Sequence, residues 1–259
     1  MGEVSRYPSG TFNWIDVGTT DVTGAKPFYE GLFRWEFEDL PSGNDETYTM
    51  CRLGGKEVAG IHAHSAEEGT DWSSNISVDD VDKSTSRAAE LGATVLIEPF
   101  EIPGAARMSL IREPAGATVS LWQPKGFIGA GLVNEVGSWS WNELVTAEAD
   151  AAKAFYSELF GWIADVVPSS IPRASFKLGD LLIGGMHQPI GPERAPRWTV
   201  FFRVADVDET ATRAEQLDGR ITLPPMDIPI GRLAMIADPA GADFGVSSFA
   251  GPWAGVDGS

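Results

Sequence analysis

The sequence predicts an α+β protein of two tandem domains, built from four βαβββ units, and three observations carry that reading. Trp14 to Trp35, WIDVGTTDVTGAKPFYEGLFRW, is repeated from Trp141 to Trp162 as WNELVTAEADAAKAFYSELFGW, with Trp, acid, Thr, Phe-Tyr, Leu-Phe and Trp at one constant offset. A fixed internal period marks a duplicated unit. EPAGA at 113–117 recurs as DPAGA at 238–242, and PFEIPGAAR at 99–107 recurs as PMDIPIGR at 225–232 with one residue lost. Each half also runs twice through one order of elements: strand, helix, then three strands. Helices on one face of mixed or antiparallel sheets give the α+β arrangement.

Residues 11–19 alternate as a strand does, and Thr20, Asp21 and Thr23 are helix-starting residues. Pro27 requires the helix to begin only a few residues earlier. Phe28, Leu32 and Phe33 share one helical face, as do Phe155, Leu159 and Phe160 in the copy; the stripe reads as core. Strand-like runs follow at 34–40, 46–53 and 57–64, separated by turn residues such as Ser42-Gly43-Asn44 and Gly54-Gly55. The next unit reads as a strand running into a helix start at 72–82, a helix from Ser84 to Leu91, and strands at 94–97, 106–112 and 117–123. The second half matches it with a strand from 199, a helix to Leu217, and strands near 220–223, 232–237 and 242–248. Domain 1 is thus expected over 11–123 and domain 2 over 138–249. The glycine-rich connector of 124–137 joins them, and the tail is expected to be loose, with Trp253 free to dock on the body.

Composition narrows the function classes. With 43% apolar residues, 13 Phe and 9 Trp among 259, the chain is globular, and no apolar run reaches membrane-spanning length. Net charge is −18, from 37 acids against 19 bases, a surface that repels phosphate backbones and anionic lipid. The expected partner is a small molecule, with no nucleic acid and no membrane, and the chain is expected as a monomer or a homodimer. Cys51 is the only cysteine, which excludes an intrachain disulfide, and its alternating surroundings read as packed core. The opening MGEVSRYPSG has no basic or apolar signal region, so a cytoplasmic location is expected. No glycine pattern has a phosphate-loop context, and no G-x-S-x-G elbow is present.

Paired βαβββ units with FYxxLFxW after the first strand and DPxGA before the last resemble the glyoxalase, bleomycin-resistance and extradiol-dioxygenase superfamily, also called vicinal oxygen chelate proteins. The likeness runs from about Phe12 to Phe249 and is nearest to tandem-domain actinobacterial members that often carry hydroxylase or lyase labels. It implies a curled eight-stranded sheet per domain with a ligand cavity inside the cup. Metal-dependent members hold a divalent ion through His, Gln or Glu. The matching positions here are Trp14, Gly60, Ser73 and Ser120 in domain 1, and Trp141, Gly185, Thr199 and Gly245 in domain 2. None is a metal ligand, so no metal and no other cofactor is expected.

Strand parity extends the cavity, since residues two apart share a face. In domain 1 it gives Phe12, Trp14, Asp16, His62, Asn75 and Trp122. In domain 2 it gives Trp139, Trp141, Glu143, His187, Phe201, Arg203, Asp243 and Ser247. His62 with Asp16, and His187 with Glu143, are candidate proton-moving pairs, because a His beside a carboxylate works as a base near neutral pH. The plainer reading of each His is a strand-end residue at the cavity rim. Trp14, Trp122, Trp139 and Trp141, with Asn75, Phe201, Arg203 and Asp243, are the candidate substrate-binding residues. The expected function is a metal-independent enzyme on a small, partly aromatic metabolite. The alternatives are a sequestering protein of the antibiotic-resistance type, or a metal-dependent lyase or dioxygenase in which His62, His64, Asp16 and Glu143 are the first ligands to test. Arg107 and Arg232 are candidates to hold an anionic substrate group, and the plainer expectation is that they pair with Glu113 and Asp238 or a nearby turn. Asn142 falls on the helix-covered face, opposite Trp141.

Overall fold

Asp21 starts the first helix as an N-cap, its carboxylate accepting the Gly24 N–H at 2.8 Å, and the helix ends where Arg34 turns left-handed at φ 62°. Pro27 lies inside it. Around such helices the chain builds two matching halves in a computed structural model that describes residues 2–43, 46–167, 172–189 and 195–249. Trp253 lies outside the described residues. The first half runs β1 (Phe12–Thr19), α1 (Val22–Phe33), β2 (Glu36–Gly43), β3 (Glu46–Leu53), β4 (Lys56–Ala63), β5 (Asp71–Ser77), α2 (Val81–Glu90), β6 (Thr94–Ile102), β7 (Ala106–Arg112) and β8 (Thr118–Pro124). The second repeats it as β9 (Trp139–Val145), α3 (Ala149–Phe160), β10 (Ile163–Val167), β11 (Arg173–Leu178), β12 (Leu181–His187), β13 (Arg197–Arg203), α4 (Val207–Gln216), β14 (Arg220–Ile228), β15 (Gly231–Ala237) and β16 (Asp243–Ser247).

Each half is one eight-stranded mixed sheet, ordered β2-β3-β4-β1-β5-β8-β7-β6 and β10-β11-β12-β9-β13-β16-β15-β14. The first strand of every unit pairs parallel with a last strand, β1 with β4 and β5 with β8, and the two first strands pair antiparallel at the centre. That order curls each sheet into a cup whose central strands present their inward residues to one cavity.

Two strands extend further than the sequence suggests. β6 runs through Pro99 and β14 through Pro224 and Pro225, where a run of strand signal ends in the sequence. Both are edge strands with register shifts at these residues, so no ladder hydrogen bond is lost to the missing N–H.

The helical part of the repeated motif, with its closing Trp, joins the halves and does not line the cups. Phe28, Tyr29, Phe33 and Trp35 pack with Trp72 against Phe202 and Phe244 of the other half, Phe33 and Phe202 having ring centroids 4.7 Å apart. Phe12 of the first half lies on Trp162 and Trp198 of the second, at 5.7 and 4.8 Å. Buried polar atoms find partners across the seam: Tyr29 OH donates to Asp238 Oδ2 at 2.9 Å, Trp35 Nε1 to Gly137 O and Trp162 Nε1 to Gly10 O, both at 2.7 Å. Rings of this size dominate the apolar area removed from water.

The two arginines pair elsewhere than expected. Arg107 makes a two-pronged bond with Asp82 in the first turn of α2, and Arg232 does the same with Asp208 in α4. Glu113 and Asp238 are buried and accept backbone N–H groups of their own turns, which leaves no room for a guanidinium. Cys51 is fully buried, and burial pushes its thiol up, away from reactivity. No helix among the described residues is long and apolar enough to cross a membrane.

Candidate active site

The two cups carry one constellation in two versions. In cup 1, Asp16 sits opposite Gly60 of β4 and Ser73 of β5, and Tyr48 of β3 lies opposite His62. In cup 2, Glu143 sits opposite Gly185 of β12 and Thr199 of β13, and Arg173 of β11 lies opposite His187. Each acid is two residues beyond an indole, Trp14 or Trp141, and shares its face. The glycines are required by close approach: a Cβ on Gly60 would strike the Tyr48 hydroxyl, and one on Gly185 would strike the Glu143 carboxylate.

Cup 1 is closed by its own side chains. Trp14 is fully buried, and its Nε1 donates at 2.7 Å to Tyr48 OH, which donates at 3.3 Å to Asp16 Oδ2. Ser73 Oγ donates to the other oxygen, Asp16 Oδ1. Asn75, 2% exposed, holds Trp14 O. The connector then crosses the rim: Phe127 packs edge-on against Trp14 at 4.8 Å and Trp122 at 6.0 Å, while Trp122 Nε1 donates to Phe127 O. This segment is tied down by Ala130 N to Asn13 O and by Asn13 Nδ2 to Ile128 O.

At the edge of cup 1 the histidines form a chain. A carbonyl oxygen only accepts, so His64 Nδ1, 3.2 Å from Gly69 O, carries a proton. In a neutral His64 the Nε2 accepts, and His62 Nε2 at 3.2 Å donates to it. His62 Nδ1 is left without a hydrogen-bond partner, 4.0 Å from Asp16 Oδ2. Gly18 permits this, since a Cβ there would strike the His64 ring.

Cup 2 is more open. Trp141, Phe201, Arg173, His187 and Phe249 are all partly exposed around the buried Glu143. Trp141 Nε1 donates directly to Glu143 Oε2 at 2.7 Å, and Arg173 stands 3.5 Å from Oε1. Burial raises the Glu143 carboxyl above the usual range, against the lowering effects of Trp141, His187 and Arg173. His187 Nδ1 donates to Gln188 O at 2.7 Å, so in a neutral His187 the lone pair is on Nε2. Thr199, 4% exposed, turns an unpartnered Oγ1 to the cup. Phe249 lies 6.2 Å from Trp141.

Parity fails at two expected lining residues. A register shift between Phe12 and Trp14, matched by one between Phe201 and Phe202 opposite Trp139, turns both ring systems off the cup face. Phe12 joins the interdomain seam, and Trp139 Nε1 donates to Asn142 Oδ1, on the opposite face from Trp141. Arg203 is on the cup strand but its Nη1 is spent on Asn134 O at 2.6 Å. Asp243 lies at the strand end, where it acts with burial to raise Asp71 of the other half. Sequence reasoning missed Tyr48, Arg173, Phe127 and Phe249. The first two were within reach of the parity rule applied to β3 and β11.

The positions matching a family metal centre carry indole, glycine and hydroxyl groups. Among the described residues no three His, Cys, Asp or Glu are grouped to hold an ion. Asp16 is already bonded by Ser73 and Tyr48, and His62 by His64. These residues do not fit such a centre. A separate groove of about 190 Å³, lined by Thr20, Asp21, Gly24, Ala25, Pro239 and Ala240, is below the ~300 Å³ at which ligand pockets begin.

The sequence profile of the Glyoxalase/Bleomycin resistance protein/Dioxygenase superfamily matches residues 11–121 and 139–246, and the chain belongs to that superfamily. It is 41% identical to CFP32 of Mycobacterium tuberculosis, provisionally named a glyoxylase, over 95% of this chain and 97% of that one. It is 33% identical to the anthracycline biosynthesis protein DnrV of Streptomyces peucetius, over 94% of each. Among solved structures, the Mn(II)-bound glyoxalase of Novosphingobium aromaticivorans superposes with a TM-score of 0.64 at 16% identity, covering 95% of this chain and 83% of that one. The 2,3-dioxygenase LapB of Pseudomonas sp. KL28 superposes with a TM-score of 0.64 at 13% identity, covering 95% and 93%. These structures share the fold; their chemistry is their own.

Proposed function

We propose that this chain is a metal-independent enzyme that moves a proton on a small, partly aromatic molecule bound in cup 2. One observation carries the reading: a buried acid with a raised pKa lies between an indole and a histidine whose Nε2 lone pair is available. An acid and a base held in different protonation states are what concerted proton transfer needs. The ligand's flat face rests on Trp141 and Phe201, the Glu143 carboxyl donates, and His187 Nε2 accepts. Cup 1 keeps the matching pair, Asp16 and His62, but with its indole sealed beneath Phe127. A partly aromatic ligand accords with a relative named for anthracycline biosynthesis.

The test is a ligand screen by tryptophan fluorescence followed by turnover assays on the hit. His187→Ala and Glu143→Gln should each lower turnover by about 10²-fold or more. Tight binding without turnover would instead support sequestration, which the aromatic walls of cup 2 also favour. Stoichiometric divalent metal in protein purified without chelator would restore the metal-dependent reading.

A further inference from the structure

The two cups differ most at one register position. Opposite the histidine, cup 1 has Tyr48 and cup 2 has Arg173. Tyr48 turns inward and is consumed by Trp14 and Asp16. Arg173 keeps 36% of its side chain exposed at the mouth of cup 2, and its contact with Glu143 is long for a charge-assisted pair, at 3.5 Å. A guanidinium on an aromatic-walled cup is out of keeping with a chain of net charge −18. Its cross-strand neighbour is His187. Arg173 can give hydrogen bonds to a ligand oxygen, whereas the matching position of cup 1 carries no cation.

Building on the proposed function, we infer that cup 2 selects planar ligands bearing an anionic oxygen group, a carboxylate or an acidic phenol, with Arg173 as the specificity-determining residue. The ring lies against Trp141 and Phe201, and its anionic group meets the guanidinium at the rim above Glu143. The contact with Glu143 is long and the guanidinium is partly exposed, which leaves it able to meet a ligand's anionic group.

The experiment compares two probes of one shape, 2-naphthoate and 2-naphthamide, by quenching of tryptophan fluorescence in the full chain. Naphthoate should bind about tenfold or more tightly than naphthamide, the difference a charged hydrogen bond makes. Arg173→Gln should erase that preference while leaving naphthamide binding in place, and Arg173→Lys should keep part of it. Arg107→Gln removes a surface charge paired with Asp82 and should leave the preference intact, which separates local recognition from overall charge. Equal affinity of the two probes, absence of saturable naphthoate quenching, or a preference that survives Arg173→Gln overturns the inference. Equal affinity would still leave the cup as a binding site, so it sinks the anion claim without touching the acid–base reading.

Discussion

Cup 1 and cup 2 descend from one duplicated unit and have kept their indole, acid, glycine and histidine, yet the indole is buried in one and partly exposed in the other. In cup 1 the space over Gly60 is taken by the Tyr48 hydroxyl; in cup 2 the space over Gly185 is taken by the acid itself, one methylene longer as Glu143. Tyrosine brings a hydroxyl that links Trp14 to Asp16. Arginine cannot lie in that space, so it stands at the rim and Trp141 bonds the acid directly. The residue at this register position, with Phe127 over Trp14, thus sets the two cups apart.

The largest expected effect that can break this comparison is on turnover. Once a substrate is in hand, His187→Ala and Glu143→Gln should cost about 10²-fold, while His62→Ala and Asp16→Asn should cost no more than a few-fold. Equal losses in both cups would make cup 1 reactive as well. Next is the cover of cup 1: Phe127→Ala should destabilise the chain by about 3 kcal/mol in urea unfolding and shift Trp14 emission to the red as water reaches it. Unchanged stability and emission would show that the connector does not seal the cup. Tyr48→Phe should cost about 1–3 kcal/mol, because Trp14 Nε1 loses its acceptor in a dry site.

Much of this arrangement was legible in the sequence. The duplication fixed two cups, and period-two spacing brought Trp14 with Asp16 and Trp141 with Glu143. What misled was local irregularity: a bulge at each strand entry sends Phe12 and Trp139 to the other face, and no residue type there announces it. The prolines of β6 and β14 suggested short strands because the sequence does not say that these strands are at the edge. The connector reads as a linker by its glycines, whereas Gly129 is there to let the backbone pass against Asn13 O. Which cup is open depends on Tyr48, Arg173 and Phe127, whose meaning appears only when the strands are side by side.

A smaller effect concerns acidity in cup 2. Burial raises Glu143, so the folded chain holds that proton more tightly than the unfolded chain does. The stabilising contribution is therefore full below the ordinary Glu value, near pH 4.3, and is lost as pH rises from there through the raised value of the folded chain. Glu143→Gln should melt higher than the parent at about pH 8, with the gap closing toward pH 4. A gap that widens on acidification would mean that Arg173 outweighs burial and holds the carboxyl charged.

The smallest effect is a proton's position, which changes no contact but separates the two cups sharply. In cup 1 the Gly69 carbonyl fixes the proton of His64 on Nδ1, and through the 3.2 Å contact fixes that of neutral His62 on Nε2. In cup 2 the Gln188 carbonyl fixes the proton of His187 on Nδ1. The two matched histidines should therefore be opposite tautomers, His62 with Nδ1 bare toward Asp16 and His187 with Nε2 bare toward its cup. With only three histidines in the chain, long-range ¹H–¹⁵N correlation at about pH 8 resolves all of them, and single substitutions assign them. His64→Ala should release His62 from its fixed state and leave His187 unmoved. Gly18→Ala, which pushes the His64 ring away, should do the same. If His62 and His187 show the same tautomer, the repeat has kept its proton arrangement as well as its residues, and the division of labour between the cups rests on access alone.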